Sequence, residues 1–299
     1  MSKMLIPFLT TAFASHVAAA APSREAPAMT PETQFLKLPE GRIAYEDTGG
    51  DGPLVLAIPG LGDLRSEYRY LAPALRSAGY RVVTLDLRGH GDSDTGFADY
   101  SATAVGRDAL ALVRHLDAGP AVLVGTSLGA GAAAFAAALD PERVRGLVLV
   151  GPFVRDVPPG LIMSAAMRVL FSGPWKVSAW LWYFDSLFPT RKPPDHAAHK
   201  AHLEANLREP GRFDAALAMM HASKRDVEAR LHEVRAPTLV VMGDKDPDFK
   251  VPKAEADLVA ERVRGRTVMI EGAGHYPHAE QPEVTARAIL AFLETLPAR

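Results

Sequence analysis

The sequence predicts an α/β protein, a mainly parallel, doubly wound sheet with an inserted helical cap. Three observations carry this. Short apolar runs alternate with amphipathic stretches along most of the 299 residues, the pattern of parallel strands joined by crossover helices. The run Ala121-Val122-Leu123-Val124 enters an alanine-rich stretch, Ala130 to Leu139, through the tight pentapeptide Gly125-Thr126-Ser127-Leu128-Gly129. Between Pro152 and Arg235 the alternation stops and only helical patterns rich in large apolar groups remain. The expected divisions are an N-terminal extension over 1–31, core over 32–157, cap over 158–235 and core again over 236–299.

Taken in order, Phe35 to Leu38 and Arg42 to Tyr45 read as paired edge strands turning around Glu40-Gly41. Leu54 to Ile58 is a third strand, Tyr68 to Ala78 a helix stopped by Gly79, and Arg81 to Leu85 the next strand. Ala102 to Leu116 has the three-and-four apolar spacing of an amphipathic helix. Val144 to Val150 follows the alanine-rich helix as a strand, and Thr238 to Met242 and Thr267 to Ile270 are two more. A last helix, Pro282 to Leu296, opens with proline where its missing N–H does no harm. Within the cap, Leu161 to Phe171 is apolar almost all round, which predicts burial on several sides.

Strand, Gly-x-Ser-x-Gly, helix is the arrangement of a nucleophile elbow, with Ser127 at a helix N-terminus whose free amides favour developing negative charge. Glycine on both sides lets the chain double back. Downstream, one strand runs into Gly243-Asp244-Lys245-Asp246-Pro247-Asp248, and the next into Glu271-Gly272-Ala273-Gly274-His275-Tyr276-Pro277-His278. Serine, carboxylate and histidine would then lie at the C-terminal edge of one parallel sheet, where such sheets place their sites.

From about Phe35 to its end the chain resembles the α/β-hydrolase superfamily, in which the triad follows the order Ser, Asp, His. Ile58-Pro59-Gly60-Leu61-Gly62 is similar to the family's oxyanion loop, and Asp86-Leu87-Arg88-Gly89-His90-Gly91-Asp92-Ser93 to its turn after the fourth strand. Many relatives carry His-Gly where this chain has Pro59-Gly60, a change expected to alter the loop's support while leaving the main-chain donor in place. The resemblance implies Ser127 as nucleophile, His275 as base, Asp246 as the acid among three loop carboxylates, and the backbone N–H groups of Leu61 and Leu128 as oxyanion donors. Serine in the elbow argues against the dehalogenases and epoxide hydrolases of this superfamily, which use aspartate there. The resemblance then implies hydrolysis of small or medium hydrophobic carboxylic esters, with lactone or C–C hydrolysis, perhydrolysis, acyl transfer or a receptor that retains the triad as alternatives. No metal or organic cofactor is required, and the expected partners are the ester and water.

Phe153, Met163, Trp180 and Tyr183 are candidates for an apolar substrate pocket, although large apolar residues of a cap pack chiefly against one another. Asp195-His196-x-x-His199-x-x-His202 places three histidines at positions that rotate around a helix. This argues for a solvated or interfacial cap helix rather than a metal site. His90 and Asp92 are expected to organise their own loop, His278 to be a supporting or solvated group, and Lys224-Arg225 to form a solvated face.

A net charge of −2 gives no footprint for nucleic acid, and zero cysteines exclude a disulfide, a thiol nucleophile or a thiolate metal site. Lys3, the apolar Met4 to Ala14 and the small residues around Val17-Ala18-Ala19-Ala20-Ala21-Pro22 resemble a secretory signal peptide. Secreted or periplasmic export is therefore the expectation, with a cytoplasmic enzyme bearing an extension as the alternative. No stretch is long enough for stable membrane insertion.

Overall fold

The computed structural model describes residues 32–156 and 160–297, apart from the side chains of 161–164. The leader-like segment lies outside these residues. Among them, the valine- and leucine-rich runs form eight strands. These are β1 (Gln34–Leu38), β2 (Gly41–Asp47), β3 (Leu54–Ile58), β4 (Arg81–Leu85), β5 (Ala121–Thr126), β6 (Val144–Val150), β7 (Thr238–Gly243) and β8 (Arg266–Ile270). They make one sheet in the order β1-β2-β4-β3-β5-β6-β7-β8, antiparallel from β1 to β4 and parallel from there on.

Both faces of the sheet are covered, and the side-chain period of two shows it. Leu54, Leu56 and Ile58 of β3 and Ala121 and Leu123 of β5 face one side, beneath α2 (Ala102–Leu116), α3 (Leu128–Leu139) and α9 (Pro252–Arg262). Val55, Ala57, Val122 and Val124 face the other, beneath α1 (Leu71–Ser77) and α11 (Pro282–Leu293), the latter preceded by the short α10 (Pro277–Glu280). From β3 the chain crosses to β4, then returns past β3 to β5 and continues to β8. The direction of winding therefore reverses at β3 and β5, and the loops leaving their C-terminal ends diverge to open a crevice.

Two element boundaries differ from the sequence expectation by more than two residues. The predicted helix Tyr68 to Ala78 is a 3-10 turn, Arg65–Tyr68, followed by α1 from Leu71. Pro73 has no N–H to return to the carbonyl four residues back, so the two pieces do not fuse. Meanwhile Tyr68 turns inward and its hydroxyl donates to the Ile58 carbonyl at 2.7 Å. The helix α11 ends at Leu293 rather than Leu296, where the Thr295 hydroxyl donates to the Phe292 carbonyl at 2.7 Å in place of a continuing turn.

Between β6 and β7 lie five helices and, among the described residues, no strand: α4 (Leu161–Leu170), α5 (Lys176–Ser186), α6 (His196–Leu207), α7 (Arg212–His221) and α8 (Arg225–Arg230). They have their own apolar cluster, in which Phe171, Val177, Trp180, Leu181, Phe184, Phe188, Leu203, Leu207 and Phe213 meet Leu64, Tyr276 and Ala279 from the sheet side. The expectation that α4 is buried on several sides is overturned for its described half. Val169 is 66% exposed, and residues 165, 166 and 168 are exposed too. That stretch contributes only the partly buried Met167 and Leu170 to the cluster. The aromatic run is divided likewise: Trp180, Phe184 and Phe188 are buried, whereas Trp175 and Trp182 are 51% and 69% exposed.

Candidate active site

Ser127 stands between β5 and α3 with φ 55° and ψ −118°, a backbone conformation that is costly for any residue with a β-carbon. The geometry around it explains its glycines. A side chain at Gly125 would run into the Gly129 carbonyl, and one at Gly129 into the carbonyls of Ile58 and Pro59. The elbow is thereby pressed against the loop after β3. Ser127 N–H donates to the Val150 carbonyl at 2.9 Å and its own carbonyl accepts from Phe153 N–H at 3.2 Å, which pins the turn to the end of β6. Its hydroxyl makes no capping bond to α3, so it is free for other use.

The loops after β7 and β8 bring Asp246 and His275 together. Asp246 Oδ2 lies 2.7 Å from His275 Nδ1, with both side chains almost fully buried. Asp248 Oδ2 is farther, at 3.7 Å, while the third carboxylate, Asp244, accepts from Gly272 N–H at 2.7 Å and plays its part in the turn. The ring of His275 rests on Gly151, where a β-carbon would come within 2.9 Å of Cε1. Since Gly151 directly follows the residue that Ser127 N–H engages, serine and imidazole share one corner of the sheet edge. Nε2 has no hydrogen-bond partner among the described residues.

Burial by itself would depress the pKa of His275. Attraction to Asp246, its hydrogen bond, and the further charges of Asp248 and Glu67 outweigh this and lift it to about 9. His90 shows the opposite case. It is buried without a carboxylate contact of this kind, and its pKa falls to about 4. Its ring stays neutral, and Nε2 accepts from Gly62 N–H at 3.2 Å.

That bond is one of several that occupy the amides of the loop after β3. Gly60 N–H donates to Glu67 Oε2 at 2.7 Å, Asp63 N–H to the Gly60 carbonyl at 3.2 Å, and Leu64 N–H to Asp63 Oδ1 at 2.7 Å. Leu61 N–H has no acceptor among the described residues, and Leu128 N–H is the first of α3, without an intrahelical partner. A β-carbon at Gly60 would sit 3.4 Å from Ser127 Cβ, so the loop borders the serine directly. Glu67, one of the residues the sequence reading missed, is buried beneath the loop where Pro59 replaces the family's histidine. Its other oxygen lies 3.0 Å from His278 Nε2, out of line for a hydrogen bond, and the buried His278 ring stacks on Tyr68. His278 is thus a supporting group and not a solvated one.

Of the pocket candidates, Phe153 packs edge-on to His275 with centroids 5.7 Å apart and against Phe249 at 5.0 Å. Trp180 is 4% exposed and crosses Gly62 so closely that a β-carbon there would strike its indole; its Nε1 has no partner among the described residues. The Tyr183 hydroxyl donates to Asp248. The side chain of Met163 lies outside the described residues. Of the two expectations for α6, solvated or interfacial, the second holds for two of its histidines, which are buried and paired. His196 Nε2 meets Asp185 at 2.7 Å, and His199 Nε2 meets Asp63 at 2.9 Å, while His202 is exposed. Lys224 and Arg225 face Asp156, and Asp92 pairs with Arg65. Among the described residues, Asp246, Asp248 and His275 alone cluster closely enough to share an ion, their ligand atoms lying within 4.8 Å. The nitrogen concerned, Nδ1, is already engaged by Asp246.

A buried acid–imidazole pair beside a strained serine, on diverging loops of a parallel sheet, is a hydrolase-like arrangement, and comparison with known proteins agrees. The chain belongs to the alpha/beta hydrolase family, whose model matches residues 54–288. It is 34% identical over 278 residues to polyketide synthase ThaQ of Burkholderia thailandensis, a match that takes in 89% of this chain but only 13% of ThaQ. It is 31% identical over 258 residues to 2-(acetamidomethylene)succinate hydrolase of Mesorhizobium japonicum, covering 82% of this chain and 89% of that enzyme. The solved structure of a thermophilic esterase from Thermogutta terrifontis aligns with a TM-score of 0.67 at 26% identity, over 87% of this chain and 98% of the esterase. No helix among the described residues is long and apolar enough to cross a membrane.

Proposed function

We propose that this protein is a serine hydrolase that cleaves small or medium hydrophobic carboxylic esters through an acyl-enzyme. The observation that carries the reading is Ser127 itself, held at positive φ with an uncommitted hydroxyl beside the buried Asp246–His275 pair. An alcohol is a weak nucleophile at neutral pH and needs a base as it attacks. His275 Nε2 takes the Ser127 proton while Oγ adds to the ester carbonyl. Asp246 holds Nδ1–H and stabilises the imidazolium without itself being protonated. The tetrahedral oxyanion is received by the N–H groups of Leu61 and Leu128, each such donor lowering the barrier by about 3 kcal/mol. Collapse breaks the bond to the leaving oxygen, which takes the proton from His275 and departs as the alcohol. Water then attacks the acyl-enzyme by the same steps in reverse.

Phe153 and Phe249 beside the imidazole, with Leu61 and Trp180 across the loop, favour an apolar acyl or alcohol group. The test is turnover of short and medium p-nitrophenyl esters together with labelling by a fluorophosphonate. Ser127→Ala should abolish labelling and lower kcat by about 10⁴-fold or more. Retained turnover, or a label on another residue, would overturn the assignment. Ligand-induced stabilisation without multiple turnovers would point instead to a receptor. A panel of esters, lactones and diketones compared by kcat/KM then ranks the chemistries that share this machinery.

A further inference from the structure

Asp248 lies two residues beyond the acid partner of His275 and is not needed for a Ser-His-Asp relay. Its backbone N–H donates to Asp246 Oδ1 at 3.0 Å, which ties the two carboxylates into one turn. Its side chain, 12% exposed, points Oδ2 toward His275 Nδ1 at 3.7 Å. On its other side the Tyr183 hydroxyl sits 2.8 Å from both carboxylate oxygens, a forked bond from the helical insertion. Tyr183 belongs to α5, and Asp248 to the loop after β7.

We propose that Asp248 is a positioning residue for His275, a second carboxylate that Tyr183 of the insertion holds against the imidazole. This rests on the reading of His275 as the catalytic base. Asp246 alone satisfies the Nδ1–H bond, so Asp248 acts by charge: at under 4 Å in a buried site, a negative group strengthens the ring's hold on its proton. The tyrosine keeps that charge in place. Its hydroxyl is driven well above its ordinary pKa, by burial first and then by Asp248, and therefore stays protonated as a donor. Burial first, joined by the charge of Asp246, raises the pKa of Asp248 itself, and His275 together with the Tyr183 bond limits the rise. The base strength of the imidazole is in this way linked to the docking of α5 on the sheet. The charged and titratable groups facing the ring are Asp246 and Asp248 from the β7 loop, Glu67 from the turn after β3, and the neighbouring Tyr276.

The test follows the proton on His275 in two ways. ¹⁵N-edited imidazole spectra, assigned with His275→Gln, report the protonation midpoint without any substrate. The pH dependence of kcat/KM on a p-nitrophenyl ester reports the same group during catalysis. In the wild type both should rise through a midpoint near 9. Asp248→Asn, which keeps the turn's shape, should move both midpoints down by about one unit. Tyr183→Phe should move them in the same direction by less, and the double variant no further than Asp248→Asn alone. An unchanged midpoint in Asp248→Asn overturns the proposal, as does strict additivity in the double variant. A shifted spectral midpoint in a protein that turns over no ester would sustain the role of Asp248 while refuting the esterase reading.

Discussion

The edge of the sheet and the helical insertion hold the site by different means. At the sheet edge, main-chain contacts dominate: Ser127 N–H on the Val150 carbonyl, carbonyls crowding Gly125 and Gly129, and the His275 ring lying on Gly151. The insertion reaches the same place through long side chains, with Trp180 over Gly62, Tyr183 on Asp248 and His199 on Asp63. Backbone geometry of the first kind tolerates almost no substitution. Side-chain contacts of the second kind can be remade one at a time. Under the proposed function, this contrast becomes a division in which the edge supplies the chemistry and the insertion adjusts it.

Four substitutions can break or sharpen this division. Trp180→Ala removes a buried indole from the insertion's core and should cost about 3–5 kcal/mol in denaturant unfolding. If the loss were under about 1 kcal/mol, the insertion would be too loosely packed to position anything. His275→Gln tests the electrostatics of the edge. The pKa of His275 is raised from 6.5 to about 9 on folding, so its contribution is fully present below pH 6.5 and disappears as pH climbs through 9. The stability difference between wild type and His275→Gln should therefore shrink by roughly 3 kcal/mol between pH 6 and pH 9.5. A pH-independent difference would show that the carboxylates do not hold the ring's proton. Ser127→Gly should abolish ester turnover yet raise stability by about 1 kcal/mol, since glycine accepts positive φ without penalty. Lower stability would mean the elbow stores no strain. Last, Trp182→Ser lies on the exposed face of α5 and should change stability by less than about 0.5 kcal/mol; a larger loss would reveal a covering contact there.

The sheet and its loops were legible because their signals are local. Near-continuous apolar runs mark β3, β5 and β7, and each candidate for the triad sits a few residues beyond a strand. The breaks at Arg69–Tyr70 and Leu293 depend on Pro73 and on the Thr295 hydroxyl, which lie within a turn and could have been weighed. What escaped was pairing at long range. His199 finds Asp63 136 residues away, and Tyr183 finds Asp248 65 residues away; neither partner leaves a trace in its neighbour's periodicity. Glu67 was hidden for a related reason. A glutamate in a polar stretch reads as surface, and only the missing histidine before Gly60 hinted that something else must carry the loop. The composition of α4 misled in the other direction, because apolar residues all round a helix do not supply a second surface to bury them.

One junction ties the insertion to the loop of His275. His275 N–H donates to the Leu187 carbonyl at 3.0 Å, and Glu280 accepts from Thr190 and Arg191 with one oxygen and from Gly274 with the other. The stretch after α5 is thus riveted to the same loop that carries the imidazole. A displacement of this stretch would therefore strain the loop that carries the imidazole.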